Sequence, residues 1–452
     1  MKPFLLSDAL RAIGGAYCGD EAALGREVTR VTSDSRDAGA GALFVAFKGN
    51  RVDGHSFMAG CLEKGAAACV TEREPAENER PAIRVDSSLR AVGALAAWHR
   101  SRFDIPVIGV TGSVGKTTTK EMVAAVLGEK LNTLKTQKNF NNELGVPRTL
   151  LGLDDAHEAA VVEMGISDFG EMRRLTNMVR PTVAVFTVIG DAHLEFLGDR
   201  PGVLRAKGEI FEGMGADGLA VLNGDDPLLA DCHPNMRRVL YGQGAHCDVR
   251  AENVKNLGEE GIALTVRHAG GAFEARIPAF GSHMIYAALA AAAVGLELGL
   301  TDDEIARGIA AYQTVGDRAR VLHANGLTVV SDCYNANPNS CRAALDSLAA
   351  LPGRRVAILG DMLELGDATA ELHRGVGEYA AGLGIGKIVA CGPLARHIAD
   401  GAKAAGGDAL YFPEKAALLS ALGDIVRPGD SVLVKASRSM AFEEIVERLA
   451  KG

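Results

Sequence analysis

Lys116 and Thr117 close the run Val110-Thr-Gly-Ser-Val-Gly-Lys-Thr-Thr-Thr-Lys120, and two glycines, Gly112 and Gly115, precede them. Such a loop can turn successive backbone N–H groups inward at a helix N-terminus, where the dipole favours an anion. A lysine there reaches terminal phosphates as a point charge, and the following hydroxyl is placed to ligate Mg²⁺. The chemistry is nucleoside triphosphate binding, with Thr111, Gly112, Ser113, Val114, Gly115, Lys116, Thr117 and Thr118 as the cradle. The generic pattern asks for a glycine where Val110 stands, so this is a shorter variant. A cradle alone names no reaction.

Further polar groups sit where the same chemistry would need them. Glu163 ends the apolar run Ala159–Gly165; an acid on the strand beside such a loop commonly holds Mg²⁺, whereas a carboxylate left there alone is costly, and a structural salt bridge is the other reading. His193 follows the run Thr182–Ile189 and faces the same crevice. A lone histidine is usually structural, but this one stands where a second metal would bind. Lys207 and Glu209 share a helix, and a free ammonium at 207 would pair with Glu209 or a phosphate. Asn139, Asn141 and Asn142 can bond a sugar or phosphate, or only each other and the backbone. Spacing does not choose.

These groups need strands and helices to hold them. Ile105–Val110 is a β-branched run and reads as a buried strand, and Thr117–Lys130 carries Met122, Val123, Val126 and Leu127 at helical spacing. Upstream, Val28–Ser33, Ala42–Phe47 and Ala67–Thr71 read as strands, and Phe57–Lys64 and Leu89–Phe103 as helices. Ser33-Asp-Ser-Arg36 and Gly49-Asn-Arg-Val-Asp-Gly-His55 each follow a strand; each reads singly as a capped turn, and together they suggest a small-molecule site. Val249–Phe280 reads as antiparallel strands, followed by helices over 283–299 and 302–312. From Val321, strands at Leu327–Asp332, Val356–Leu359, Lys387–Cys391 and Ser431–Val434 alternate with amphipathic helices. The fold class is α/β in three domains, 1–104, 105–320 and 321–452, the second a parallel-sheet P-loop domain and the third Rossmann-like.

Composition narrows the partners. The chain has 452 residues, too many for one ordinary core, with 47% hydrophobic and 23% charged residues, as in soluble globular proteins. A formal charge of −9 argues against non-specific nucleic-acid binding. The eight cysteines show no Cys-x-x-Cys and read as thiols in a reducing compartment. Asp8 and Arg11 interrupt any signal-peptide core, and the Ala-rich stretch Met284–Leu296 is too short to span a bilayer. The expectation is a cytoplasmic enzyme, monomeric, neither embedded in a membrane nor bound to nucleic acid.

Taken together the motifs resemble the ATP-dependent Mur ligases of peptidoglycan synthesis over essentially the whole chain. Thr111–Thr117 is similar to that family's P-loop, Ser33-Asp-Ser-Arg36 to its uridine-site loop, and Asp332-Cys-Tyr-Asn-Ala-Asn-Pro338 to the signature of its D-alanyl-D-alanine-adding branch. Asn139–Asn142, Glu163–Gly165, His193–Glu195, Gly360–Gly366 and Lys435–Arg438 follow in the family's order. The resemblance implies amide formation through an acyl phosphate, with UDP-N-acetylmuramoyl-tripeptide and D-alanyl-D-alanine as substrates and ATP with two Mg²⁺ ions. It implies Lys116, Glu163, His193 and Lys207 as catalytic groups, the last carbamylated, and Thr117, Glu163 and His193 as metal ligands. It assigns His283, Arg318, Asp332 and Asn335 to ATP, and Ser33, Ser35, Arg36, Asn139, Asn142, Lys435 and Arg438 to the substrates. One departure stands out: after Gly281-Ser-His283 the family carries two asparagines where this chain has Met284 and Ala287. Rivals within the class are the ligase adding the third stem residue and folylpolyglutamate synthetase, both disfavoured by the Tyr334–Pro338 loop; a P-loop switch or kinase is the rival from another class.

Overall fold

The computed structural model describes residues 1–49, 52–316 and 318–451. Asn50 and Arg51 of the second polar cluster, and Asp317 before Arg318, lie outside the described residues.

Three larger sheets follow one another along the chain. The first has five strands in the order Ala16–Cys18, Ala82–Arg84, Ala68–Thr71, Ala42–Val45 and Arg30–Thr32, parallel except for Ala16–Cys18. The second has nine, running Gly271–Ile277, Ile262–His268, Val249–Asn256, Arg237–Gly242, Leu219–Asn223, Val183–Phe186, Val107–Thr111, Ala159–Glu163 and Thr133–Lys135. Its first two strands are antiparallel additions to an otherwise parallel sheet. The third has six: Arg320–Ala324, Leu327–Asp332, Asp430–Lys435, Arg354–Gly360, Lys387–Cys391 and Ala409–Phe412, parallel apart from the first pair.

The middle strands of the second sheet are apolar on both faces, so each face needs a layer. Alternation divides them: Val110, Val161 and Val185 pack with the helices Lys116–Leu127, Met284–Glu297 and Asp302–Ala310, while Val162, Ala184 and Phe186 pack with Ser88–Arg100, Gly145–Leu150, Glu171–Val179 and Arg200–Gly208. The second of these cores runs on into Leu43, Val70 and Ile83 of the first sheet. The helix Met284–Glu297 is Ala-rich because it is enclosed on nearly every side. No helix among the described residues is long and apolar enough to cross a membrane.

Three local expectations change. Val28–Ser33 is not one strand: Glu27–Val28 pairs with Phe4–Leu5, and the chain then crosses at Thr29 to join the five-stranded sheet as Arg30–Thr32. Arg237–Gly242 is a strand whose Arg-Arg start masked its apolar half. The third sheet begins before Leu327, with Arg320–Ala324 joined to it by Asn325-Gly326, both at positive φ, the geometry that a tight hairpin requires.

Candidate active site

The strand Val107–Thr111 delivers the loop 112–115 to the helix beginning at Lys116. Gly112 has φ 141°, and a Cβ there would lie 2.0 Å from Thr187 Oγ1, so no other residue fits between these neighbouring strand ends. Thr187 Oγ1 donates to the Val114 carbonyl at 2.5 Å, and Ser113 Oγ accepts from Gly190 N at 2.9 Å. The adjacent strand thereby fixes the loop's shape. Lys116 Nζ folds back to donate to Gly112 O at 2.8 Å and Ser113 O at 3.3 Å. Burial holds its pKa below the ordinary lysine value, Arg318 adding to the effect and Glu163 opposing it.

Register places Glu163 beside Val110, at the strand end next to the loop. Its two oxygens are both engaged, Oε2 accepting from Thr117 Oγ1 and Oε1 from Asn141 Nδ2, each at 2.8 Å. Among the described residues no cation pairs with this buried carboxylate; a hydroxyl and a carboxylate face each other at the helix N-terminus, a hard oxygen donor set of the kind that suits Mg²⁺. Asn141 is the asparagine that reaches the acid. Asn142 instead caps the helix Gly145–Leu150, its Oδ1 accepting from Leu144 N and Gly145 N, and Asn139 is exposed.

His193 adopts φ 56° and its Nδ1 lies 2.6 Å from Glu364 Oε2, a residue of the third sheet's loops. Burial and the Lys207 charge lower its pKa, Lys116 adding a smaller push and Glu364 opposing, and it lines the same cavity as the phosphate loop. Lys207 is buried and makes no hydrogen bond or ion pair among the described residues; Glu209 is instead taken by Gly170 N and Arg173 N. Burial, followed by the Lys116 charge, drives its pKa well below the ordinary lysine value, against a smaller pull from Glu171. The expected ammonium pair with Glu209 is not formed.

The phosphate loop, Glu163, Asn141 and His193 open into a cavity of about 750 Å³ walled on its far side by Arg318, Asp332, Tyr334 and Asn335, whereas Lys207 is not among its lining residues. The Arg318 guanidinium lies 3.9 Å from the Tyr334 ring centroid, a cation–π contact that holds it over the cavity. Lys435 is buried and donates to Asp332 Oδ2 at 2.6 Å and to Asn335 O at 2.8 Å. It holds the signature loop from the cavity wall. Arg438 pairs with Glu443 and lies 5.9 Å from the Tyr334 centroid. His283, Met284 and Ala287 line the same cavity, and His283 Nδ1 is buried without a hydrogen-bond partner; burial lowers its pKa, Asp332 opposing.

Of the residues expected at this site, Ser113 to Thr118, Glu163, His193, His283, Arg318, Asp332, Asn335, Asn142 and Lys435 line one cavity. Thr111 lies beneath it, buried with an unpartnered hydroxyl. Ser33, Ser35 and Arg36 stand apart on the first sheet, where Arg36 holds Asp34 in a two-pronged pair (2.9 and 2.6 Å) that brings its pKa down to about 2, the charge of Arg148 on the second unit adding to it. Asn141, one of the three asparagines that the sequence offered without a choice between them, completes the arrangement together with Tyr334 and Glu364. Tyr334 and Glu364 lay inside motifs already noted, but nothing in the spacing marked them.

Three family models match: the Mur ligase family catalytic domain over residues 27–100, the Mur ligase middle domain over 110–295, and the Mur ligase glutamate ligase domain over 317–438. A relative from Bacillus subtilis (strain 168), named UDP-N-acetylmuramoyl-tripeptide--D-alanyl-D-alanine ligase, is 38% identical over 93% of each chain. One from Escherichia coli (strain K12) with the same name is 37% identical over 93% of this chain and 94% of that one. Among solved structures, MurF from Acinetobacter baumannii superposes with a TM-score of 0.93 at 32% identity over 100% of both chains. MurF ligase from Thermotoga maritima in complex with ADP gives 0.83 at 30% identity over 93% of this chain and 97% of that one.

Proposed function

The chain belongs to the Mur ligase family, and from that premise we propose that it is the ATP-dependent ligase joining D-alanyl-D-alanine to UDP-N-acetylmuramoyl-tripeptide. The observation that carries this reading is the meeting of the phosphate loop with the Asp332–Asn335 loop across one cavity. A nucleotide held by the first would have its exposed side covered by the second. The work is divided among three units, 1–104 for the UDP-sugar, 105–320 for ATP and 321–452 as the closing unit. Nucleotide-linked substrates place it in the cytoplasm.

A carboxylate has no usable leaving group, so the tripeptide carboxylate attacks the γ-phosphorus of ATP, and ADP departs. The dipeptide amine then attacks the acyl carbon, and phosphate leaves with the bonding pair. The difficulty lies in bringing two anions together, which Lys116 and the loop N–H groups offset. Thr117 and Glu163 would hold one Mg²⁺ and His193 a second; bound there, such ions neutralise phosphate charge. The Lys207 environment supports carbamylation, since burial shifts the amine towards the uncharged form, which is the form that reacts with CO₂. Arg318, Asp332 and Asn335 face the nucleotide, and closure of the third unit over it excludes the water that would hydrolyse an acyl phosphate. Ser33, Ser35, Arg36, Asn139 and Asn142 are assigned to the UDP-tripeptide and Arg438 to the incoming dipeptide; Lys435 acts through its hold on Asp332.

The test is phosphate release with UDP-muramoyl tripeptides ending in diaminopimelate or lysine, each against a panel of dipeptides. Release that requires D-alanyl-D-alanine is expected. Equal turnover without any dipeptide would make the protein a nucleotide switch instead.

A further inference from the structure

Asp225, His246 and Cys247 bring a carboxylate, an imidazole and a thiol together, their ligand atoms all within 4.8 Å of one another. Asp225 follows the strand Leu219–Asn223, while His246 and Cys247 lie in the turn between Arg237–Gly242 and Val249–Asn256. Nothing in the ligase reaction uses the last two.

The histidine is oriented for ligation. Its Nε2 lies 2.8 Å from the Gly224 carbonyl, which can only accept, so Nε2 carries the proton and Nδ1 presents its lone pair. A bond of this kind behind the ring is what fixes metal-binding histidines. The imidazole and Asp225 Oδ1 both lie over Gly244, where a Cβ would meet Cε1 at 2.4 Å, Nδ1 at 2.7 Å and Oδ1 at 2.9 Å, and the Gly244 N–H donates to Oδ1 at 2.9 Å. A second glycine guards the thiol, since a Cβ on Gly224 would come within 2.6 Å of Cys247 Sγ. The sulfur is 3.9 Å from Asp225 Oδ1, a few tenths of an ångström beyond the roughly 3.5 Å that separates sulfur and oxygen ligands on a tetrahedral zinc. Cys247 is buried and His246 exposed, which gives the cluster an entrance.

We propose that Asp225, His246 and Cys247 form a binding site for a divalent cation of the zinc class. Sulfur, nitrogen and oxygen would each supply one ligand, and the fourth position opens to solvent past His246. The thiol yields its proton to solvent on binding. The mixed donor set separates this site from the oxygen-rich pair Thr117 and Glu163, which suits Mg²⁺. Asp225 also lines the main cavity, so the two sites share a wall.

Cobalt(II) is the probe, added to the reduced, chelator-treated full chain in excess Mg²⁺. The expected result is a thiolate-to-cobalt charge-transfer band that saturates near one equivalent, is displaced by Zn²⁺ and is missing in Cys247→Ser. His246→Ala, a change at an exposed position, should weaken cobalt affinity on the order of tenfold or more. The proposal falls if the unaltered protein gives no charge-transfer band, which would leave the thiol as a hydrogen-bond donor to Asp225. It falls equally if the band survives in Cys247→Ser, placing the metal at another cysteine.

Discussion

His193 Nδ1 and Glu364 Oε2 stand 2.6 Å apart although they come from loops of different sheets. The same junction carries Asp191 N to Asn339 Oδ1 at 3.0 Å. These contacts tie residues 321–452 to the central unit beside the phosphate loop, so the residue proposed to hold a metal also serves as a latch.

The two roles separate by mutation. Glu364 is half exposed, and an exposed pair contributes at most about 1 kcal/mol, so Glu364→Ala should lower kcat by less than about tenfold. His193→Ala should cost more than about a hundredfold if it holds a metal whose charge the reaction needs. Equal small losses in steady-state assays would reduce His193 to the latch.

In the proposed mechanism Lys116 contributes charge where the two anions would meet and little to packing. Lys116→Ala should lose about a hundredfold to a thousandfold in kcat, while its melting temperature moves by less than about 3 °C. Near-normal turnover in a folded variant would remove the loop from the mechanism.

For Lys207, burial without a partner among the described residues predicts that no cation can replace it. Lys207→Ala should be nearly inactive and regain part of its activity with added acetate, which can occupy the vacated space; Lys207→Arg should remain inactive. An active Arg variant together with no acetate rescue would identify an ordinary cation.

Met284 and Ala287 line the cavity, at the two positions where the family resemblance implies asparagines able to hydrogen-bond a base. Strong discrimination needs polar groups left unpaired by the wrong base, so selectivity for ATP over GTP, measured as kcat/KM, should stay below about a thousandfold. A larger ratio would mean that other groups read the base.

His99 supplies a pH dependence remote from the chemistry. It is fully buried with Nε2 3.0 Å from the Leu153 carbonyl, and burial lowers its pKa from 6.5 to about 4. The folded value is the lower one, so between the two the unfolded chain binds the extra proton. Its contribution is complete above about pH 6.5 and is lost as pH falls towards 4, a gap of about 3 kcal/mol. Urea midpoints should fall over that window, and His99→Gln should flatten the fall; an unchanged slope would assign it to other groups.

Much of this was legible because local physics carried it. The phosphate loop, its strand and its helix are written in consecutive residues, since glycine, lysine, threonine and apolar spacing each answer a local demand. Glu163 could be read because an acid closing an apolar strand is conspicuous. The alternation of apolar strands with amphipathic helices gave the α/β class, while the crossing at Thr29 escaped notice because changing partner sheets leaves no mark on composition.

What the sequence by itself determined was therefore the set of chemical groups and the elements bearing them. Tertiary structure alone decided which groups meet. Three nearby asparagines look alike in sequence, yet only Asn141 reaches Glu163. Lys435 reads as a ligand for a substrate, and only its strand, in register with Leu327–Asp332, shows that its ammonium also holds Asp332 at the cavity wall. Lys207 reads as a partner for Glu209, but burial isolates the amine while backbone N–H groups take the acid. Strand order, register and burial arise from contacts between residues far apart in the chain, and spacing along it does not encode them.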